Sequence, residues 1–115
     1  MDKETLREYC LSFPHATERV QWGNDLLFCV ADKMFAVTNL EPAEIRSLSI
    51  KCDPETFAEL TEREGIEPAA YLAQYRWISI RNMNALKPRE LRDLIRASYD
   101  MVYARLPAGV KRRMG

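Results

Sequence analysis

Three groups of residues in this 115-residue chain could do chemistry. The first is cationic. Arg76, Arg81, Lys87, Arg89, Arg92 and Arg96 crowd into one stretch, and Lys111, Arg112 and Arg113 follow near the end. Such a density of guanidinium and ammonium groups suits the grip of a phosphate backbone. The second group is aromatic. In GIEPAAYLAQYRWISI, Gly65 to Ile80, the rings of Tyr71, Tyr75 and Trp77 lie beside Arg76, with Arg81 just beyond. Rings interleaved with arginines can stack on bases, or they can be the edge of a core. The third group holds nucleophiles, bases and metal ligands: the sole histidine His15, the thiols Cys10, Cys29 and Cys52, and Glu55, Glu59 and Glu62 on one helix face.

The third group promises least. No Ser–His–Asp or Cys–His spacing supports His15 as a base, so it reads as a loop residue. Cys52 stands at a helix start, where an exposed thiol would acidify. A free cysteine is more often buried and inert. The three glutamates could hold a divalent ion loosely, but no His or Cys completes a site, so no metal is assigned. The cysteines are odd in number and form no CxxC pair, which fits free thiols in a reducing compartment. There is no GxGxxG and no phosphate loop, so no cofactor is signalled. The chain reads as a non-enzyme.

Charge sharpens the first group. The 17 basic and 17 acidic residues cancel overall. They are unevenly spread. Residues 1–75 hold 7 basic and 14 acidic residues, net −7, and residues 76–115 hold 10 basic and 3 acidic, net +7. That split points to a basic face if the fold keeps those charges together. Within it, Arg89, Arg92 and Arg96 fall on one side of a helix, opposite Leu91, Ile95 and Val102. Asp93 and Asp100 share their side and partly neutralise them. The tail at 108–115 lies beyond Pro107 and Gly109 and is expected to be mobile.

The elements that must position these residues follow from periodicity and caps. Asp2 caps a helix over Lys3 to Ser12, with Leu6, Tyr9, Cys10 and Phe13 on its apolar stripe and Pro14 as its stop. Strands are predicted at Arg19–Trp22, Leu26–Val30, Met34–Thr38 and Leu48–Lys51, the middle two joined as a hairpin. Asp53 caps a second helix opened by Pro54 and closed by Gly65, with Phe57, Leu60 and Ala58 facing inward. Another helical turn is expected in PAAYLAQY, which would put Tyr71 and Tyr75 on one face. A fifth strand runs from Arg76 to Ile80, with Trp77 and Ser79 on one side and Ile78 and Ile80 on the other. Pro88 opens the last helix and Pro107 ends it. The order implies one α+β domain: an antiparallel sheet of about five strands with flanking helices, a two-layer sandwich. No apolar run is long enough to cross a membrane and the N-terminus lacks a signal-peptide core, so a cytoplasmic protein is expected.

An ordered set of fragments carries a resemblance. FPHATE (Phe13–Glu18), WG (Trp22, Gly23), DKMFA (Asp32–Ala36), KCDPE (Lys51–Glu55), PAAYL (Pro68–Leu72), Trp77 and SYDMV (Ser98–Val102) occur in the order and spacing of the MmcQ/YjbR family of small bacterial proteins. The chain resembles that family over nearly its whole length. It departs at Ala70 and at Gln21, where the family usually has proline. The resemblance implies a CyaY/frataxin-like fold and DNA binding by a double-wing arrangement of β-structure. It supplies no catalytic residues. The expected function is therefore non-enzymatic DNA binding, with phosphates contacted by Arg76, Arg81, Lys87, Arg89, Arg92, Arg96, Lys111, Arg112 and Arg113. The alternative is a protein-interaction or small-ligand module, monomeric or weakly self-associating.

Overall fold

The computed structural model describes residues 1–115. In chain order the elements are α1 (Lys3–Leu11), β1 (Ala16–Gln21), β2 (Asp25–Val30), β3 (Lys33–Asn39), β4 (Leu48–Lys51), α2 (Pro54–Leu60), β5 (Ile66–Pro68), β6 (Trp77–Ile80), α3 (Pro88–Ala104) and α4 (Ala108–Met114). The strands form one antiparallel sheet in the order β1-β2-β3-β4-β6-β5. Its strand count exceeds the expected five because β5, only three residues long, pairs with β6 through Ile66 opposite Ile80.

The local signals act as expected at several ends. Asp2 accepts from the Thr5 amide at 2.8 Å and starts α1. Asp53 accepts from the Thr56 amide at 2.7 Å and starts α2, with Pro54 at its first position. The Ala31–Asp32 turn between β2 and β3 has positive φ at both residues, the twist a two-residue hairpin needs. Gly65 closes the turns after α2 at φ +90°, and a Cβ there would stand 2.8 Å from Cβ of Asn82, so no side chain fits.

Both α1 and α3 pack on one face of the sheet. Leu6 and Cys10 of α1 and Leu91, Ile95 and Tyr99 of α3 share a core with Phe28, Ile50, Ile78 and Ile80. Phe13, Phe35 and Tyr99 meet edge-on or tilted at its centre, with ring centroids 4.8–5.8 Å apart. A buried Leu or Ile here contributes roughly 1.5–3 kcal/mol by leaving water, which is why the long, strongly patterned α3 governs the layer. In α2, Leu60 is buried and Phe57 half-buried, but Ala58 is exposed rather than inward.

One irregularity links sheet and helix. Phe28 pairs with Ala36 and Cys29 with Met34, so Phe35 between them has no partner on β2. The bulge turns the Phe35 ring into the core and frees its carbonyl. The Ser98 hydroxyl donates to that carbonyl at 2.6 Å and accepts from the Lys51 amide at 3.0 Å. Ser98 is fully buried.

Three expectations need correction. The first strand begins at Ala16, and Trp22 lies beyond its end. PAAYLAQY is not a helical face: its start closes β5, Tyr71 has φ +66°, and only Ala73–Tyr75 form a 3₁₀ turn. Arg76 precedes β6 in a left-handed conformation and does not alternate with Ile78. Replacing Ser98 with alanine should leave two backbone groups unpaired in the core. The urea midpoint should fall by the equivalent of about 2 kcal/mol with an unchanged slope; a loss under about 0.5 kcal/mol would show that another group replaces the hydroxyl.

Candidate nucleic-acid interface

The nine basic residues singled out from the sequence separate into distinct places. Arg89, Arg92 and Arg96 lie exposed along one stripe of α3, which turns about 100° per residue. Tyr103 continues that stripe. The tail, expected to be mobile, is instead the short helix α4, and the ammonium of Lys111 sits 5.5 Å from the Tyr103 ring centroid. Lys111 also donates to the Ala104 carbonyl at 3.0 Å, while Val110 and Met114 pack against the core. These tertiary contacts overcome the helix-breaking signal of Pro107 and Gly109. Arg112 and Arg113 stay exposed on α4.

A ladder of rings joins the two ends of this strip. The Arg96 guanidinium lies 5.6 Å from the Phe13 ring centroid. Phe13 contacts Tyr99, and Tyr99 stacks on Tyr103 at 6.0 Å under Lys111. Each cation over a ring contributes roughly 0.5–1 kcal/mol at such exposed sites and holds the head group in place. Arg96 is partly neutralised by Asp100 at 3.5 Å. Arg89, Arg92, Arg112 and Arg113 make no ion pair.

The remaining cations stand elsewhere. Lys87 caps the start of α3, near the Arg63–Glu90 pair. Arg81 is bound to Glu67 at 2.9 Å. Arg76 is exposed at the start of β6.

On the sheet face away from α1 and α3, Leu27, Cys29, Trp77 and Ser79 are buried, outside the main core. A groove of about 700 Å³ crosses this face, lined by Trp22, Val37, Ser49, Ala69, Tyr71 and Arg81 among others. Tyr71 is 96% and Trp22 65% exposed, and both have positive φ. Trp77 is buried, so the rings free to stack are Trp22, Tyr71 and Tyr75. Trp22 was missed as a partner of Tyr71 because only the sheet order brings the two chain segments to one groove.

The nucleophiles and ligands are placed plainly. His15 is exposed in the turn after α1 and hydrogen-bonds no side chain. All three cysteines are buried and unpaired. Burial pushes the Cys10 and Cys52 thiols up to about 12, and it raises Cys29 as well. For Cys52 the Asp53 carboxylate adds to the effect, so the helix start does not activate it. Glu59 is drawn to Arg63 at 3.4 Å, and no three His, Cys, Asp or Glu side chains converge closely enough to hold a metal ion.

Comparison with known proteins places the chain. A sequence model of the YjbR family matches residues 11–101, and the protein belongs to that family. The fold is similar to that of a Deinococcus radiodurans protein with a DUF419 domain, with a TM-score of 0.86 and 26% identity over 97% of this chain and 86% of that one. It also resembles a Pseudomonas syringae protein, with a TM-score of 0.69 and 20% identity over 88% of this chain and 98% of that one. No curated protein matches the chain. No helix is long and apolar enough to cross a membrane.

The thiols give a direct check. At pH 8 the folded protein should resist alkylation by iodoacetamide at Cys10 and Cys52, because the thiolate is scarce and covered. All three thiols should react once the protein is denatured. Mass spectrometry of the native reaction would show the opposite if either thiol were poised for chemistry.

Proposed function

We propose that this YjbR-family protein is a non-enzymatic, cytoplasmic DNA-binding protein that holds phosphates along α3 and α4. The observation that carries the reading is the seat of Lys111 over Tyr103, which lets α4 extend the row begun by Arg89, Arg92 and Arg96. A row of exposed, mostly unpaired cations fixed on helices can follow a backbone at little entropic cost. Of the nine cations, Arg76 and Arg81 lie off this row, while Lys87 borders it, lining one concavity with Arg89. The contacts are to phosphates, so affinity is expected to be salt-dependent and weakly sequence-specific.

The test is anisotropy of a labelled duplex at about 50 and 200 mM salt, a range over which phosphate contacts lose much of their strength. The triple variant Arg89→Ala, Arg92→Ala, Lys111→Ala should bind more weakly at the lower salt. Its salt slope should be shallower by about 0.9 for each lost contact. Equal affinity of variant and parent would overturn the reading.

The open groove supports a second reading, a module for a small ligand or a protein. Exposed Trp22 and Tyr71 at its rim favour that use. A partner seated there should quench Trp22 fluorescence, and Trp22→Ala should abolish the signal while duplex binding persists.

A further inference from the structure

A second concentration of positive charge lies at the other side of α3. Lys33 at the start of β3, Lys51 at the end of β4 and Arg105 at the end of α3 line one pocket of about 270 Å³. On the 100° spacing of a helix, Arg105 lies on the opposite side of α3 from Arg89 and Arg96. Its walls are apolar: Met34, Trp77, Val102, Leu106 and Pro107. The three cations come from parts of the chain far apart in sequence, brought together by strand register and by the seat of α3.

None of these cations has an acidic partner. No ion pair includes Lys33, Lys51 or Arg105. The acids nearest in sequence are committed elsewhere. Asp32 lies 3.7 Å from Arg19. Asp53 accepts from the Thr56 amide and hydroxyl at the head of α2. Lys51 is half-buried, and its ammonium donates to the Tyr75 carbonyl at 3.0 Å, which fixes it at the pocket. Its pKa is pushed below the ordinary 10.5, first by burial and then by repulsion from Arg105 and Arg76. Lys33 and Arg105 are exposed at the mouth of the pocket, so solvent screens the repulsion among the three cations.

The geometry points to an anion site here, formed by Lys33, Lys51 and Arg105, that takes the phosphoryl group of a small phosphorylated ligand. A dianionic phosphoryl group offers several acceptor oxygens to a forked guanidinium and two ammonium groups at once. The apolar wall would cover the rest of such a ligand. The site is independent of the DNA-binding strip and uses none of its residues.

The probes are inorganic phosphate and pyrophosphate, titrated into the full chain by calorimetry, with sodium sulfate and sodium chloride at matched ionic strength as controls. Saturable binding of pyrophosphate at one site, with a Kd of about 1 mM or tighter, is expected. Lys51→Met and Arg105→Gln should each weaken it about tenfold, the scale of one charge-assisted contact. Arg92→Ala should leave it unchanged. Arg105 is exposed, so its variant keeps the proposal testable should Lys51→Met fail to fold. Absence of saturation, an equal response to chloride, or equal binding by parent and Arg105→Gln would overturn the site. Duplex DNA is the remaining arm. If pyrophosphate displaced a duplex, and Arg105→Gln lost duplex affinity while Arg92→Ala did not, the pocket would hold nucleic-acid phosphate, and the small-ligand assignment would fail.

Discussion

The seat of α3 on the sheet depends on one hydroxyl. The bulge in β3 orphans the Phe35 carbonyl, and Ser98 meets that carbonyl and the Lys51 amide together. Leu91 and Ile95 supply most of the burial, but apolar contacts alone would tolerate sliding. Hydrogen bonds to two strands do not. The same lock places two basic residues. Arg105 follows Ser98 by about two helical turns, while Lys51 carries the bonded amide, so two of the three cations of the proposed anion pocket are placed by it.

The molecule pairs its buried polar atoms and leaves part of its surface charge unpaired. No buried side-chain nitrogen or oxygen lacks a partner. Elsewhere on the surface cations meet acids: Arg7 with Glu18, Arg63 with Glu90, Arg81 with Glu67. Exposed pairs of this kind add little stability, with a median near 0–1 kcal/mol. Their interest lies in contrast, because they show where charge has been neutralised and where it has been left free. Most of the cations without an ion pair lie on the α3–α4 strip or in the pocket beside Lys51, while Lys3, Arg76 and Lys87 are unpaired elsewhere.

Much of the fold was legible in the sequence because local chemistry decided it. Asp2, Asp53 and Pro54 mark helix starts by capping geometry, and the stripe of Leu91, Ile95 and Tyr99 marks α3 by its period. What was not legible depended on distant partners. The segment Ile66–Pro68 is too short and too polar to announce a strand, and it pairs only because β6 is there. The tail carries a proline and a glycine, yet folds because Val110 and Met114 pack on the core and Lys111 reaches Tyr103 and the Ala104 carbonyl. The row of Arg89, Arg92 and Arg96 could be read from helical spacing. The cluster of Lys33, Lys51 and Arg105 could not, since strand register is set by the sheet as a whole.

The two ends of the sheet are shaped differently from its faces. At one end β5 is three residues long and finishes in Pro68, which has no N–H to offer a further strand. At the other, β1 sets the charged Glu18 and Arg19 along its length. Such edges resist extension by another chain. A strand approaching either end of the sheet meets a proline at one and charged side chains at the other.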